Sequence, residues 1–302
     1  MKKHIISIVL ICVIALFSGC GKPENAVTPP FFKVTDAETG GEVYMLGTMH
    51  VGLDNTAYPE EVFAALDECG ALAVELDLFA LETNISELSA AMRIMELDGM
   101  TAEEYMGEDC KEIRDFLQNK GIYSANLERY IPAVWSSMLS TKLAEDCGYS
   151  SDFGTDRALL TYAKKNGKPI FELESAAEQY QINANEGREL QIYMLLESVR
   201  ADYELQKRQM NELYSAWASG DVAALESMLD GDEPPEELAE QYEQFYFEMY
   251  ENRQRKMADY ILGVLESGET AFVAVGAMHF AAAPDIIDCL EEAGYAVERI
   301  SL

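Results

Sequence analysis

The chain has 302 residues, 54 acidic against 22 basic, and a formal net charge of −32. A surface that negative repels phosphate backbones and anionic lipid headgroups, which excludes nucleic acid as a partner. It draws cations near, a condition for a metal site but no sign of one, and six cysteines without a C-x-x-C pair argue against zinc-finger-type ligation.

In chain order, Met1-Lys2-Lys3-His4 is a short basic start, Ile5 to Phe17 an apolar run, and Ser18-Gly19-Cys20 a small-residue close. An apolar run of that length is too short to span a bilayer as a helix, so residues 1–19 read as a secretory signal. Leu16-Phe17-Ser18-Gly19-Cys20 resembles the bacterial lipobox, whose cysteine is lipidated and becomes the first mature residue, although Phe17 stands where that pattern usually has Leu. The expectation is a lipoprotein held to the cell membrane through Cys20, with its mature part on the extracytoplasmic face. Residues 20–30, rich in proline and poor in anything to bury, read as a flexible linker, and 31–302 as one domain.

Glu42–Leu46 has the β-branched and aromatic residues of a strand that stops at Gly47. Pro59 opens a helical pattern over Glu60–Glu68, and Ala71–Leu76 is a second, fully apolar strand. Strand, helix and strand with short connections suggest a right-handed parallel crossover. From about Ile85 to Glu266 helix formers dominate, with long periodic stretches over 190–218 and 236–265. One strand interrupts them, Pro169–Leu173. The α/β pattern returns in the strand Thr270–Val275, the helix Pro284–Ala293 and the strand Tyr295–Ile300. The fold class is therefore α/β: a small, mostly parallel sheet formed from both chain ends, with a large helical insertion between them. Cys69 and Cys289 sit late in amphipathic stretches and read as buried apolar positions, while a Cys110–Cys147 disulfide stays open.

The chemistry gathers at strand ends. Apart from His4, the histidines are His50 and His279, in Gly47-Thr48-Met49-His50 and Gly276-Ala277-Met278-His279, each after an apolar strand. Glycine lets the backbone turn off the sheet, and a histidine three residues on lands outside the carboxyl edge, where open parallel sheets bind ligands. Glu75 ends the second strand at that edge, and Glu174 the middle one. Two imidazoles and a carboxylate on one rim suit a divalent first-row metal with open positions. An arginine partner for Glu75 is the plainer alternative. The acidic turn over 230–237 reads as a solvated loop, and the aromatic run Tyr242–Tyr250 as packing that can also line a cleft.

The paired G-x-x-H motifs, Tyr58-Pro59 and Val74-Glu75-Leu76-Asp77 resemble the TraB/PrgY/GumN family, which includes the TIKI proteases. Gly154-Thr155-Asp156-Arg157, Lys168-Pro169 through Leu173-Glu174, and Arg253-Gln254-Arg255-Lys256-Met257-Ala258 resemble three more of its segments, with Gln254 where the family has asparagine. The resemblance implies a fold related to the erythromycin-esterase and haem-binding ChaN-like proteins. It also implies metal-dependent hydrolysis of a peptide or a small ester or amide, with manganese, cobalt or zinc as the cofactor. Carried over by position, His50, His279 and Glu75 are the expected metal ligands or catalytic residues and Glu174 a further catalytic carboxylate. Arg253 and Asp156 are the expected supporting residues, although Asp156 also suits a plain helix N-cap and Arg253 a plain counter-ion. The rival expectation is a non-catalytic lipoprotein of the same fold that binds a peptide or haem. What separates the two is whether the glutamates face the histidines, which a haem site does not require.

Overall fold

The computed structural model describes residues 25–229, 231 and 234–302. The signal segment, Cys20 and part of the acidic turn lie outside these residues. Among the described residues are eight strands: β1 (Asn25–Ala26), β2 (Phe31–Thr35), β3 (Glu42–Thr48), β4 (Thr56–Ala57), β5 (Ala71–Val74), β6 (Ile170–Glu172), β7 (Thr270–Gly276) and β8 (Val297–Arg299). Six form one sheet in the order β6-β5-β7-β3-β2-β8, and β1 pairs with β4 apart from it. Strands β6, β5, β7 and β3 run parallel, and β2 is antiparallel to both of its neighbours. β3 and β5 are joined by the helix Glu60–Glu68 but are not neighbours, because β7 from the far end of the chain lies between them. That insertion brings the two G-x-x-H motifs side by side, with Thr48 paired to Gly276.

Alternation along the strands divides the core into two layers. Val43, Met45, Val273 and Val275 pack with Met257, Ile261 and Leu265 of the helix Asn252–Ser267 and with Ile286 and Leu290. Leu46, Leu72, Val74, Phe272 and Ala274 face the other way, onto Val62 and Leu66 of the helix Glu60–Glu68 and Leu159 and Leu160 of the helix Thr155–Lys165. The helical insertion has its own core around Trp135, Ile113 and Leu195. A fourth cluster around Trp217 joins the insertion to the strand-end loops through Ala277 and Ala281.

Several expectations change. β2 was not anticipated. It is a short FFKVT segment with one outward lysine, Lys33, paired to Glu42 at 2.6 Å, and it becomes a strand through a turn closed by Asp36 N–H to Gly41 O at 2.8 Å. The linker expected over 20–30 does not extend through its second half. Val27 is buried beside Trp217, Thr28 N–H donates to Ala218 O, and Pro30 O accepts from Gly47 N–H. Residues 25–30 are therefore part of the packed domain. The 190–218 stretch breaks at Asp202, whose side chain caps a second helix by accepting from Leu205 N–H. The 236–265 stretch divides into a helix Ala239–Tyr246, a π-helical turn Phe247–Glu251 and the helix Asn252–Ser267. The four described cysteines are free. Cys110 belongs to the insertion core and Cys147 to the Trp217 cluster, so no bridge joins them, and Cys289 is only partly buried.

Trp217 is fully buried and its Nε1–H donates to Gly47 O at 2.9 Å, at the point where the chain leaves β3 for His50. Trp217→Ala is expected to lower stability by about 3–5 kcal/mol, through a cavity and an unpaired carbonyl. Denaturant unfolding monitored by circular dichroism would measure it, and a loss below about 1 kcal/mol would contradict this role.

Candidate functional site

The carboxyl edge of the sheet holds an ion-pair cluster built from three distant stretches of chain. Glu75 follows β5 and Glu174 lies two residues beyond β6; Glu174 N–H donates to Glu75 O at 3.2 Å, which sets the two side chains next to each other. Arg253, near the start of the helix Asn252–Ser267, spans them. Its Nη2 donates to Glu75 Oε2 at 2.6 Å, and Nε and Nη2 donate to the two Glu174 oxygens at 2.7 Å each. Its Nη1 donates to Met249 O at 3.2 Å. All three residues are buried, with Arg253 at 8% exposure and each glutamate at 7%. Gln179 Nε2 donates to Glu174 Oε2 at 2.9 Å and to Glu75 Oε2 at 3.3 Å.

The other Glu75 oxygen faces the histidines. Oε1 accepts the Gly276 N–H at 2.6 Å and stands 3.9 Å from His279 Nε2. A Cβ placed on Gly276 would lie 3.3 Å from Glu75 Oε1, 3.8 Å from His50 Nε2 and 3.9 Å from His279 Cδ2. The three side chains thus surround one backbone position, and only glycine leaves that space open. The Nδ1 of His50 bonds Asp156 Oδ2 at 2.8 Å, which turns Nε2 toward Gly276. Asp156 is not a helix cap: the N-cap is Gly154, without a side-chain bond, and the Asp156 carboxylate goes to the histidine. Gly154 is needed for the approach, since a Cβ there would meet His50 O at 2.4 Å.

The two imidazoles are driven in opposite directions. Burial favours neutral His50, but the Asp156 carboxylate and its hydrogen bond outweigh it and raise the pKa to about 9. For His279, burial and then the Arg253 charge lower it to about 3. Burial works against ionised Glu75, yet Arg253, the histidines and the Gly276 N–H hold its carboxyl at about 2.

All the residues singled out from sequence that lie in the described chain meet at this edge: His50, Glu75, Asp156, Glu174, Arg253 and His279. Glu75 has its arginine partner, and the two imidazoles converge beside Gly276. Arg253 has little left for a substrate, because its donors are spent on two carboxylates and a carbonyl. Gln254 donates to Ala282 O at 2.9 Å and so anchors the loop after His279. Met49 and Met278 pack into the Trp217 cluster. Sequence reasoning missed Gln179, which no motif marks, and Trp217. Tyr250, read from sequence only as part of an aromatic run that packs or lines a cleft, lies edge-on to His279 at 6.1 Å.

As a test of fit for a metal ion, the donor types are right. Two imidazole nitrogens and a carboxylate oxygen converge, and Asp156 behind His50 is the outer-shell partner that ligating histidines usually have. His279 Nδ1 is buried with no hydrogen-bond partner among the described residues. The spacing is wider than ligation requires: among the described residues no three His, Cys, Asp or Glu side chains are grouped to hold an ion. Closure needs side-chain rotation about distances such as the 3.9 Å between His279 and Glu75.

An α/β domain with a buried histidine–carboxylate–arginine cluster at the carboxyl ends of parallel strands is the class of protein these features define. The chain belongs to the TraB/PrgY/gumN family, whose model matches residues 30–299. Over 139 residues it is 28% identical to the uncharacterized protein YbaP of Escherichia coli (strain K12) and, equally, to that of Shigella flexneri, covering 45% of this chain and 49% of theirs. It thus spans about half the length of the curated relatives it matches. No solved structure matches it.

Two outcomes are expected. Arg253→Met leaves two buried carboxylates without a counter-charge and should cost about 3–5 kcal/mol, partly recovered in the Arg253→Met, Glu75→Gln, Glu174→Gln triple variant. Urea titrations of the two variants would show it, and equal stability would contradict a shared charge cluster. With pH, His50 is protonated more readily when folded, so its contribution is full below about pH 6.5 and is lost as pH rises through about 9. For His279 and Glu75 the folded pKa values are lowered, so stability declines on acidification, from about 6.5 toward 3 and from about 4.5 toward 2. His50→Gln should flatten the alkaline limb of a stability–pH curve and His279→Gln the upper acid limb. Unchanged limbs would contradict these protonation states.

Proposed function

We propose that the protein is a hydrolase, a peptidase by preference, that works with a divalent ion outside the cytoplasm, where lipid on Cys20 holds it to the membrane. The observation that supports this most is the position of Glu75, with one oxygen at the two histidines and the other on Arg253. A haem site needs no such carboxylate, and the methionines that could serve haem pack elsewhere. This favours the enzyme over the binding lipoprotein. The proposal includes kinship with the erythromycin-esterase and ChaN-like fold, for which the parallel sheet and strand-end site are the supporting features.

His50 Nε2, His279 Nε2 and Glu75 Oε1 would hold the ion, with manganese, cobalt and zinc all compatible with these donors. When bound, such an ion supplies Lewis acidity to a carbonyl and lowers the pKa of a coordinated water. The chain's own residues set up the rest. Asp156 fixes the His50 ring, and Arg253 and Gln179 fix the plane of the Glu75 carboxylate. The Gly276 N–H holds Oε1 toward the histidines, where it serves as ligand or as base toward an attacking water. Glu174, with both oxygens on Arg253, is assigned to positioning the guanidinium rather than to proton transfer. His279 is already neutral at pH 7, whereas His50 must give up a proton before its Nε2 can ligate.

Isothermal titration with manganese, cobalt and zinc tests this directly. One ion per chain is expected, with affinity rising as pH approaches 9, a proton released on binding, and no binding in the His50→Ala, His279→Ala double variant. Peptide hydrolysis should vanish in His50→Ala while the circular dichroism spectrum is kept. Hydrolysis that survives His50→Ala, or metal binding indifferent to the double substitution, would overturn the proposal.

A further inference from the structure

The Ala239–Tyr246 helix and the π-helical turn Phe247–Glu251 carry Tyr242, Phe245, Tyr246, Phe247 and Tyr250, yet neither element has a fully buried residue. The helix Asn252–Ser267 that continues them buries a full face, from Arg253 to Leu265. A contiguous run of half-covered aromatic side chains on an element next to a site offers an apolar face for a ligand. Tyr242 rests on the small cluster of Leu190, Met194 and Leu238. Tyr246 and Tyr250 pack against each other at 4.9 Å, and Tyr250 reaches His279 at 6.1 Å. The tyrosines recur at four-residue intervals, so they form one stripe that ends at His279. The π-turn locks onto the site through Arg253 Nη1 and Met249 O at 3.2 Å.

The chain segment that carries this stripe has charge of one sign, and Arg253 beside Tyr250 is spent on Glu75 and Glu174. From Gln209 to Asn252 the chain has twelve aspartates and glutamates and not one lysine, arginine or histidine. Glu240 and Glu243 are exposed, and neither forms an ion pair among the described residues. Glu243 precedes Tyr246 by three residues and so shares its face.

We infer that this tyrosine stripe is the substrate-recognition wall of the site, and that its occupant is a peptide carrying both apolar and basic side chains. Apolar side chains cover the half-exposed rings. A lysine or arginine lies over a tyrosine face with Glu243 or Glu240 beside it, an arrangement that a cation finds favourable and a carboxylate does not. Continuity with His279 places the bound peptide against the edge where Glu75 stands. The inference rests on the hydrolase reading for its purpose but is tested by binding alone.

The test uses the full chain carrying His50→Ala, so that no turnover occurs, and fluorescence anisotropy at physiological salt, where weak bulk attraction is screened. The probes are three labelled octapeptides of alternating Lys and Leu, Lys and Ser, or Glu and Leu. The Lys–Leu peptide should bind at least about tenfold tighter than the other two, a difference of about 1.4 kcal/mol. Tyr246→Ala and Glu243→Lys should each weaken it severalfold. Glu38→Lys, the same charge change in the exposed turn between β2 and β3 at the amino end of the parallel strands, should leave it unaltered. Equal binding of Lys–Leu and Lys–Ser peptides, or wild-type affinity in Tyr246→Ala and Glu243→Lys, would overturn the inference. Selective binding by the His50→Ala chain, with no hydrolysis of the same peptide by the wild type in the presence of manganese, cobalt or zinc, would sustain the wall and remove the hydrolase. Hydrolysis indifferent to peptide charge and to Tyr246→Ala would do the reverse.

Discussion

One buried guanidinium organises this site. Arg253 joins residues 75, 174 and 253, which belong to two strand ends and a helix, and a charge so far from water is tolerated only because two carboxylates and a carbonyl satisfy it. Glu75 is thereby kept ionised in an apolar setting, with one oxygen aimed at the histidines. The same positive charge helps keep His279 neutral, while Asp156, on the other side, keeps His50 protonated. Two identical side chains close to one backbone position thus have opposite protonation preferences, a division characteristic of sites that handle protons or metal ions.

The sheet makes this possible through its order. β7 comes from the end of the chain and enters between β3 and β5, so the two G-x-x-H segments and Glu75 leave adjacent strands at one level. Trp217 and Gln254 then hold the two loops from outside, by bonds to the carbonyls of Gly47 and Ala282. The helical insertion completes the site, contributing Asp156, Gln179 and the tyrosine stripe around a core of its own.

Much of this was legible in the sequence because strand-end glycines, alternating apolar strands and isolated histidines leave local signals. His50, Glu75 and His279 could be placed on one edge from such signals alone, and the helix Glu60–Glu68 could be delimited from Pro59 and Gly70. Where the determinant was a long-range partner, the sequence was silent. Gln179 is an ordinary helical glutamine until Glu75 and Glu174 are brought to it. β2 is a strand only because β3 and β8 flank it, and Val27 through Pro30 resemble a linker until Trp217 and Gly47 receive them. The breaks at Asp202 and at the π-turn Phe247–Glu251 were hidden by continuous helix propensity, since neither position needs a proline or glycine.

The central claim is a single centre in which His50 and His279 respond to shared charges. Nitrogen-15 NMR of the histidine rings, in the chain with His4→Ala, addresses it most directly, because only these two imidazoles then contribute signals. One ring should titrate near pH 9 and the other stay neutral into strongly acidic solution, with both Nε2 resonances moving together when zinc is added. Two rings that titrate independently near the ordinary histidine value of about 6.5, and ignore zinc, would contradict a shared centre.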